Sequence, residues 1–507
     1  MKRIWPIILA LVCAIFVQAK VADGKTYRIV VNCDENKSLF VQNASLDPDA
    51  NVVIWTETDV PAQQWTAHVD KAGMVTFRNV YTGLFLTSTS GRMTQGAQPT
   101  CFALDKGERK GDVCLRTDGR YMSAHATTDG TQPMMGNRRQ AWRLVEVEPQ
   151  RTFTAAMRDR MAEAFLKQYR QAKGGMKYTF TNGGWGESET MEAVLDMYEM
   201  DKLDDYKHTY TGCYDWFREH VGGEWNQGTI AGGYDWFGYD FNDDVMWQVI
   251  GAARAYNLLG TRQYLDDAKR NFQLVYDRAY MPYCGLMRWA ESSGDRNSAN
   301  SCINGPTEVA ACYIGIAEAD ESYFEIARHL YAKQRQVLFE PTTGRVYDSV
   351  VMNPEDGTVA KRNTWASTYN QGTMLGAAVL LYQHYGDEQY HQDADRIFSF
   401  AKYELCDGHG IIKVCQNVDG DFQGFKGILM RYVGLYARVF DSDEARQWLI
   451  RNAFHAYNNM NSHHYGHSAW LTKAAEDGMF GDKDYTRSPF GASTSLSAAF
   501  ACPVPQP

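Results

Sequence analysis

The hydrophobic pattern of the chain changes its period once, near Pro149. Before that point, short β-branched or aromatic segments alternate with turns rich in Gly, Asp, Asn and Ser, as in TYRIVV (26–31) and MVTFRNV (74–80), which is typical of strands. After it, apolar residues recur every three or four positions, as in AAMRDRMAEAFLKQYRQ (155–171), which predicts amphipathic helices. We therefore expect a multidomain chain, all-β at its N-terminus and all-α after it.

The β region repeats three times. KSLFVQ (37–42), TGLFLT (82–87) and DGRYMSA (118–124) mark the units, and Gln-x-Trp closes the first at Gln63 and the third at Gln140. This pattern resembles the β-trefoil of the ricin-type lectins, in which the Gln and Trp mainly build the core. We predict a β-trefoil over residues 22–148. It is a candidate carbohydrate-binding module, with a structural spacer as the alternative reading.

The helical region carries a longer repeat, in which a helix ends in a Gly- or Asp-rich turn and an aromatic residue opens the next helix. The marker residues, 58 to 67 positions apart, are Tyr206, Tyr264, Tyr323, Tyr390 and Trp448. A sixth hairpin would use the helix near 153–171. Repeated hairpins bury their faces only against neighbours, so a closed ring of six, an (α/α)6 barrel, is predicted over residues 152–502. The connections at one end would line a cleft.

Two adjacent carboxylates stand at the start of one helix, in NDDVMWQV (242–249). With Asn242 as the N-cap, Asp243 and Asp244 occupy the first turn, where the helix dipole stabilises negative charge and accounts for most such pairs without any catalysis. The aromatic, Gly-rich segment ahead of them favours a second interpretation. Glycoside cleavage needs two carboxyl groups flanking one bond, and mutual repulsion raises the pKa of one of two close carboxyls.

Five blocks of the helical region resemble glycoside hydrolase family 76, the endo-α-1,6-mannanases, in that family's order. The blocks are NDDVMWQVIGAARAY (242–256), GLMRW (285–289), INGPTEVAA (303–311), TYNQGTMLGAAVLLY (368–382) and FKGILMRYVGLY (425–436). The resemblance implies hydrolysis of α-1,6-linked mannan with retention, Asp243 as nucleophile, Asp244 as acid/base, and no metal or organic cofactor. The stretch SANSCINGP (298–306) departs from the family pattern. We therefore expect the sugar contacts of this stretch to differ from those of the family.

Further candidate substrate-binding residues lie in the segments predicted to line the cleft. They are Trp289, Asn304, Tyr369, Asn370, Gln371, Phe425 and Lys426. Aromatic rings stack on sugar faces, and amide side chains read hydroxyl groups; core packing is the alternative for each aromatic. Trp236 and Trp247 flank the acidic pair, and Trp247 is expected to be buried because it continues the apolar stripe.

Composition and charge narrow the partner class. The net charge of -10 and the absence of a Lys/Arg run argue against nucleic acid and favour a neutral or weakly charged substrate. The resemblance implies that this substrate is a mannan polysaccharide or its oligosaccharides. No Cys/His array has zinc spacing, so no metal is expected, although Cys101–Cys114 and Cys406–Cys415 are local candidates for disulfides. We expect a monomer.

The N-terminus has the pattern of a secretory signal over residues 1–19. Lys2 and Arg3 precede an apolar stretch from Ile4 to Val17, and small residues follow at a cleavage site. The stretch is short for a membrane span and no later segment is longer, so we predict a secreted protein without a membrane span, periplasmic or on the cell surface if the source is Gram-negative. Lipid attachment at Cys13 is a minor alternative.

Three alternative functions, two of them enzymatic, fit the same residues. A mannan transglycosidase would use the same covalent intermediate and pass the sugar to an acceptor other than water. The barrel could instead serve another sugar, as an unsaturated-uronide hydrolase or an epimerase; the lack of a His-rich active-site pattern in the barrel loops argues against the epimerase. A non-catalytic barrel that only binds glycan is the third alternative, and the intact acidic pair argues against it.

Overall fold

The computed structural model describes residues 21–45, 47–57, 61–80, 82–147, 153–180, 184–220, 236, 240–291, 296–407 and 410–503. The chain divides into two compact units, Met1–Pro149 and Gln150–Pro507. The first is built of strands and the second of helices, which confirms the predicted fold class. The signal segment 1–19 lies outside the described residues, and the predicted boundaries 22–148 and 152–502 stay predictions.

The described part of the N-terminal unit contains twelve strands. They are β1 (Thr26–Val31), β2 (Asp34–Val41), β3 (Val52–Thr56), β4 (Trp65–Val69), β5 (Val75–Asn79), β6 (Phe85–Thr89), β7 (Arg92–Gly96), β8 (Ala103–Lys106), β9 (Asp112–Thr117), β10 (Arg120–Ser123), β11 (Met134–Gly136) and β12 (Trp142–Glu146).

Six of these strands close a barrel and the other six form three hairpins. β1 pairs with β4 and β12, β4 with β5, and β9 with β8 and β12. Val75 and Phe102 complete the circle between β5 and β8 by exchanging two backbone hydrogen bonds of 2.8 Å. The hairpins are β2–β3, β6–β7 and β10–β11, and β7 pairs with β11. This threefold arrangement is a β-trefoil.

The Gln-x-Trp motifs sit in the trefoil core, as the resemblance implied. Trp65 and Trp142 are fully buried, and their indole N–H groups donate to the carbonyls of Leu39 and Met122 over 3.2 and 3.0 Å. In the unit that lacks the motif, the buried ring of Phe102 packs in the same core. The phenyl ring of Phe102 takes the place of an indole and fills the core, but it cannot donate the hydrogen bond that an indole N–H makes.

The described part of the C-terminal unit contains twelve helices. They are α1 (Ala155–Tyr169), α2 (Trp185–Asp201), α3 (Asp204–His220), α4 (Asn242–Leu259), α5 (Arg262–Ala279), α6 (Ser301–Glu318), α7 (Glu321–Val337), α8 (Thr368–Tyr385), α9 (Glu388–Glu404), α10 (Phe425–Val439), α11 (Asp443–Asn458) and α12 (Pro489–Ala501).

The segments that connect these helices contain short strands. They are β13 (Gln171–Gly174), β14 (Lys177–Thr179), β15 (Tyr280–Met281), β16 (Leu286–Met287), β17 (Ser298–Asn300), β18 (Phe339–Glu340), β19 (Arg345–Val346), β20 (Ser349–Met352), β21 (Val359–Asn363), β22 (Met479–Phe480) and β23 (Lys483–Asp484). β17, β20 and β21 form one three-stranded sheet, and the others pair as hairpins.

The six even-numbered helices form a closed inner ring. α2 contacts α4, and contacts continue through α6, α8, α10 and α12 back to α2. Each inner helix also packs on at least one odd-numbered outer helix, and α1 pairs with α12 to supply the sixth hairpin. α6 and α12 are buried nearly all round, whereas α5 and α7 bury one face, the pattern of inner and outer helices respectively. This is an (α/α)6 barrel.

Buried ion pairs join three helices of the inner ring. Arg254 on α4 and Arg431 on α10 both bind Asp196 on α2, over 2.7 and 3.0 Å, and further pairs reach Glu189, Glu192 and Glu199 on the same helix. Arg254 lies eleven residues beyond Asp243, about 16 Å along α4. Removing one partner of such a buried pair leaves an unpaired charge, so this network fixes the helices against one another.

Three sequence predictions concern membranes, metals and disulfides. Of the helices that the structure describes, none combines the length and apolarity needed to cross a membrane. Within the same residues, no three or more His, Cys, Asp and Glu side chains are grouped to hold a metal ion. The suggested disulfides are not formed, because Cys101, Cys114, Cys406 and Cys415 are all free thiols.

Close helix packing in the inner ring generates a stability prediction. A Cβ on Gly376 of α8 would come within 2.3 Å of the buried Tyr432 ring on α10, so Gly376→Ala forces the two helices apart. We expect a loss of about 1–3 kcal/mol in the free energy of unfolding, measured by urea denaturation at the helical circular-dichroism band.

Gly251→Ala on α4 is the matched control, because no atom lies within 4 Å of its added Cβ. That change should stabilise the helical unit by up to about 1 kcal/mol through helix propensity. Equal stabilities of the two variants would contradict the packing described here.

Candidate active site

The inner helices all begin at the same end of the barrel. Their first turns carry Trp185 (α2), Asp243 (α4), Cys302 (α6), Tyr369 (α8), Phe425 (α10) and Phe490 (α12). Ring contacts join several of these positions: Trp185 lies 4.6 Å from Phe490 and 6.0 Å from Phe425, and Tyr369 stacks on Phe425 at 3.8 Å. The amide ends of helices carry partial positive charge, so this end of the barrel favours anionic side chains.

Asn242 has a different role from the predicted one. It is the first residue of α4 rather than the N-cap, and its side chain makes no capping bond. Its Nδ2 donates to the Arg288 carbonyl and to Glu291 Oε1, both at 3.0 Å, and its Oδ1 accepts from Arg278 Nε. Its backbone N–H donates to the Trp289 carbonyl. The amide is used up in these contacts, which tie the start of α4 to the segment that carries Trp289.

Asp243 lies in the first turn of α4 with only 8% of its surface exposed. Burial raises the pKa of its carboxyl to about 6, while the Cys302 thiol, the Trp289 side chain and the first backbone N–H groups of the helix act to lower that pKa. Its Oδ1 has no well-formed hydrogen bond within the described residues. The carboxyl group is therefore poised to change charge near neutral pH, with one oxygen uncommitted.

Asp244 follows in the same turn and is half-buried. Two neighbouring carboxyl groups thus occupy unequal environments, one enclosed and one reaching solvent. Such inequality is how a protein separates the pKa values of two carboxyl groups and gives them different roles.

Two predicted aromatic residues belong to the surroundings of Asp243. The Trp289 side chain is half-buried, faces the Asp243 carboxyl and packs 5.0 Å from the Phe241 ring. Burial raises the pKa of the Tyr369 hydroxyl, and the nearby Cys302, Asp348 and Asp243 raise it further. Trp289 and Tyr369 therefore lie where a substrate at Asp243 would contact them.

Asp348, between β19 and β20, is a third carboxyl group at this place. It is half-buried, burial raises its pKa, and its Oδ2 accepts from Asn363 Nδ2 at 2.9 Å and from the Ser349 hydroxyl at 3.1 Å. It acts electrostatically on Cys302 and Tyr369. Asp348 and Cys302 could not be recognised from the sequence, because neither belongs to a recognisable spacing and only the fold brings them to Asp243.

Asn370 joins the site indirectly. It is fully buried, its side chain faces Asp348, and its backbone N–H donates to the Ser367 hydroxyl that caps α8. Phe425 is 5% exposed and packs between Tyr369 and Trp185. Both residues pack against the side chains around Asp243 and help to hold them in place.

Asn304 and Gln371 do not reach the cleft. Both are fully buried, and their amides bind main-chain groups. Asn304 Oδ1 accepts from the Met287 N–H at 2.8 Å; Gln371 Oε1 accepts from the Val346 N–H at 2.5 Å, and its Nε2 donates to the Gly344 carbonyl at 2.9 Å. In this structure the two amides hold the cleft segments in place, and their role as substrate contacts stays a prediction.

Lys426 is also turned inward. Its side chain is fully buried, its Nζ donates to the Ser468 carbonyl at 2.5 Å and lies 4.9 Å over the Trp470 ring. Burial lowers the pKa of Lys426 to about 7, and the neighbouring Cys415 and Cys406 act in the opposite direction. The prediction that Lys426 binds substrate has no support in this placement, because its one polar group is enclosed by protein. Trp247 is buried, as expected, and so is Trp236.

Two family models match the chain. Residues 153–501 match the model described as glycosyl hydrolase family 76, and residues 15–101 match the model described as a ricin-type beta-trefoil lectin domain-like sequence. The first match covers the whole barrel that the structure shows, and the second covers the first two units of the trefoil.

Curated relatives are similar over part of their length. A protein named mannan endo-1,6-alpha-mannosidase DCW1 from Eremothecium gossypii is 26% identical over 242 residues, which are 45% of this chain and 51% of that protein. The chain spans about half the length of the curated relatives it matches.

Solved structures are similar over the helical part. The GH76A alpha-1,6-mannanase from Salegentibacter sp. HEL1_6 is 25% identical with a TM-score of 0.56, and the match covers 68% of this chain and 99% of that one. An inactive variant of that mannanase, with asparagine at two consecutive aspartates, was solved with alpha-1,6-mannotriose, at the same identity, coverage and TM-score.

The burial of Asp243 generates a stability prediction. A folded pKa of about 6, against about 3.9 for a free aspartate, means that the folded state loses stability as pH rises from about 4 to about 6, and the full cost persists above that range. We expect Asp243→Asn to raise the free energy of unfolding at pH 7.5 by roughly 2–3 kcal/mol and to give almost no gain near pH 4.

Asp244→Asn is the comparison variant, and its gain should be smaller because that carboxyl is half-exposed. Urea denaturation near pH 4 and at pH 7.5 measures both. A gain for Asp243→Asn that does not change with pH, or a loss at pH 7.5, would disprove the assigned cause.

Proposed function

Because the chain belongs to glycosyl hydrolase family 76, we propose that it is an endo-acting glycoside hydrolase that cleaves α-1,6-mannosidic bonds in mannan backbones. The family itself was predicted from five sequence blocks and is confirmed. The similarity to proteins named mannan endo-1,6-alpha-mannosidase and alpha-1,6-mannanase supports the choice of bond and sugar.

One observation carries the proposal: two consecutive carboxyl groups in unequal environments, at the end of the barrel where the inner helices begin. Asp243 is enclosed and Asp244 reaches solvent. The mannanase variant solved with mannotriose is inactive with substitutions at two consecutive aspartates, the same local pattern. Glycoside cleavage by paired carboxyl groups needs one ionised group and one that carries a proton.

We propose a reaction in two steps with net retention. The Asp243 carboxylate attacks the anomeric carbon, the bond to the leaving sugar breaks, and the proton of Asp244 passes to the departing oxygen. Asp244 then takes a proton from water, the resulting hydroxide attacks the anomeric carbon from the other side, and the ester bond to Asp243 breaks. Proton exchange through Asp244 requires solvent access, which its half-exposed position provides.

The neighbours of Asp243 support this chemistry. The Cys302 thiol and the Trp289 side chain favour the ionised form against the cost of burial, so that the nucleophile keeps its charge near neutral pH. The Asp348 carboxylate and the Tyr369 hydroxyl stand ready to bind sugar hydroxyl groups, and the Tyr369 and Trp289 rings offer flat faces to the sugar.

Two further proposals rest on the sequence pattern. We propose that the N-terminal segment directs export and that the trefoil binds carbohydrate. The basic and apolar order of residues 1–19 supports the first, and the match to a lectin-like model supports the second. Both place the barrel where a polymeric glycan is accessible.

Substitution of either acid tests the proposed activity. Asp243→Asn and Asp244→Asn should each lower kcat on debranched α-1,6-mannan by about a thousandfold or more, because each removes a group that acts in the rate-determining chemistry. The measurement is release of reducing ends together with sizing of products; an endo enzyme gives intermediate lengths early.

The chain contains a matched control for these variants. Asp204 and Asp205 form an equivalent pair in the first turn of the outer helix α3, and both are exposed. Asp204→Asn should keep wild-type activity. Hydrolysis at wild-type rate by Asp243→Asn would refute the catalytic assignment, and failure of the wild-type chain to shorten α-1,6-mannan would refute the proposed function.

The pH profile separates the two possible roles of Asp243. A nucleophile must be ionised, so kcat/KM should fall about tenfold per pH unit below about pH 6, and its decline at high pH should follow the separate deprotonation of the proton donor Asp244. If Asp243 were the proton donor, kcat/KM would instead decline as pH rises through 6. Initial rates on α-1,6-mannotriose between pH 4 and 8 distinguish the two shapes.

A further inference from the structure

Two large aromatic side chains touch each other on the surface beside the candidate site. Trp365 and Phe422 are each 42% exposed, with ring centroids 5.6 Å apart and planes at 87°. We name this pair the aromatic ledge. Burying a ring of this size is favourable by about 1.5–3 kcal/mol, so two adjacent rings left open to solvent indicate a surface that binds something.

The ledge is continuous with the candidate site. Phe422 lies 5.3 Å from Phe425, which in turn stacks at 3.8 Å on Tyr369, one of the residues around Asp243. Trp365 stands three residues before the start of α8, whose second residue is Tyr369. A chain of ring contacts therefore leads from the ledge to the neighbourhood of the buried carboxyl.

The turn that bears Phe422 is held in place by its neighbours. The Asp421 carboxylate accepts a hydrogen bond of 3.0 Å from the Trp185 indole, at the start of α2. A Cβ at Gly424 would approach the Phe490 ring to 1.8 Å, so the backbone lies directly against that ring. These contacts hold the backbone on both sides of Phe422, whose ring stands exposed at the surface.

Trp365 is fixed to the site by a polar route. Its backbone N–H donates to Asn363 Oδ1 at 3.2 Å, and Asn363 Nδ2 donates to Asp348 Oδ2 at 2.9 Å. The same asparagine thus positions the third carboxyl group of the site and the start of the segment that presents the indole.

We propose that the aromatic ledge binds the apolar face of a mannose unit of the same mannan chain, at a distance from the bond that is cut. The inference rests on the proposed function and adds a distal sugar subsite to it. A hexopyranose presents a flat face of C–H groups that packs on aromatic rings and needs no charge, and neither Trp365 nor Phe422 carries one. Short substrates that span only the carboxyl groups do not reach the ledge.

Binding measurements on chains of increasing length test the ledge. In an Asp243→Asn background, which prevents turnover, isothermal titration calorimetry gives Kd for α-1,6-mannooligosaccharides from the disaccharide to the octasaccharide. For the parent protein, affinity should rise with length. Trp365→Ala and Phe422→Ala should weaken binding of the longest chains by about five- to tenfold and that of the disaccharide much less.

Side-chain chemistry provides the controls. Trp365→Phe keeps a flat ring and should retain most of the affinity for long chains, whereas Trp365→Leu keeps apolar area without a flat face and should not. Tyr403→Ala removes another partly exposed aromatic residue, at the end of the outer helix α9, and should behave as the parent. Circular dichroism confirms that each variant is folded.

The outcomes separate the ledge from the proposed function. Equal losses at every length, no loss, or full retention of affinity by Trp365→Leu overturn the ledge, as does a change in self-association on Trp365→Ala without a change in oligosaccharide binding. If the wild-type chain hydrolyses mannan while binding ignores both variants, the ledge alone is wrong. If length-dependent binding responds to the variants but the wild-type chain cleaves nothing, the proposed hydrolysis alone is wrong.

Discussion

The central constraint of this molecule is that six inner helices begin at one end of a closed ring. Hairpins that alternate between an inner and an outer helix leave the inner helices parallel, so their first turns converge although they are far apart in sequence. The N-terminal ends offer partial positive charge, and the aromatic side chains of those turns exclude water. A carboxyl group placed there is stabilised by the former and desolvated by the latter, which is the balance observed at Asp243.

The chain contains two Asp-Asp pairs in first helical turns, and packing alone makes them different. Asp204 and Asp205 start the outer helix α3, remain exposed, and Asp205 pairs with Arg170 across the surface at 2.8 Å. Asp243 starts an inner helix, where burial raises its pKa to about 6. Both pairs lie in the first turn of a helix and therefore interact favourably with the helix dipole. Only the position of the helix in the ring turns one of them into a candidate for catalysis.

Patterns with a fixed period could be predicted from the sequence, and contacts between distant residues could not. The spacing of aromatic residues predicted the hairpins and the ring, and Gln-x-Trp predicted the trefoil core. Asp348 and Cys302 were not predicted, because they come close to Asp243 only in the folded ring. Asn304, Gln371 and Lys426 lie in segments that the sequence predicts to line the cleft, and only the fold shows that their polar atoms bind main-chain groups and hold those segments.

The central proposal is that the buried Asp243 forms a covalent bond to the sugar. Incubation with a fluorinated α-mannoside that forms a glycosyl ester and releases it slowly, followed by proteolysis and mass spectrometry, tests that claim directly. We predict a single added glycosyl mass on the Asp243 side chain, absent from the Asp243→Asn variant. A label on Asp244 or on Asp348, or no label while the substrate is still turned over, would contradict the assignment.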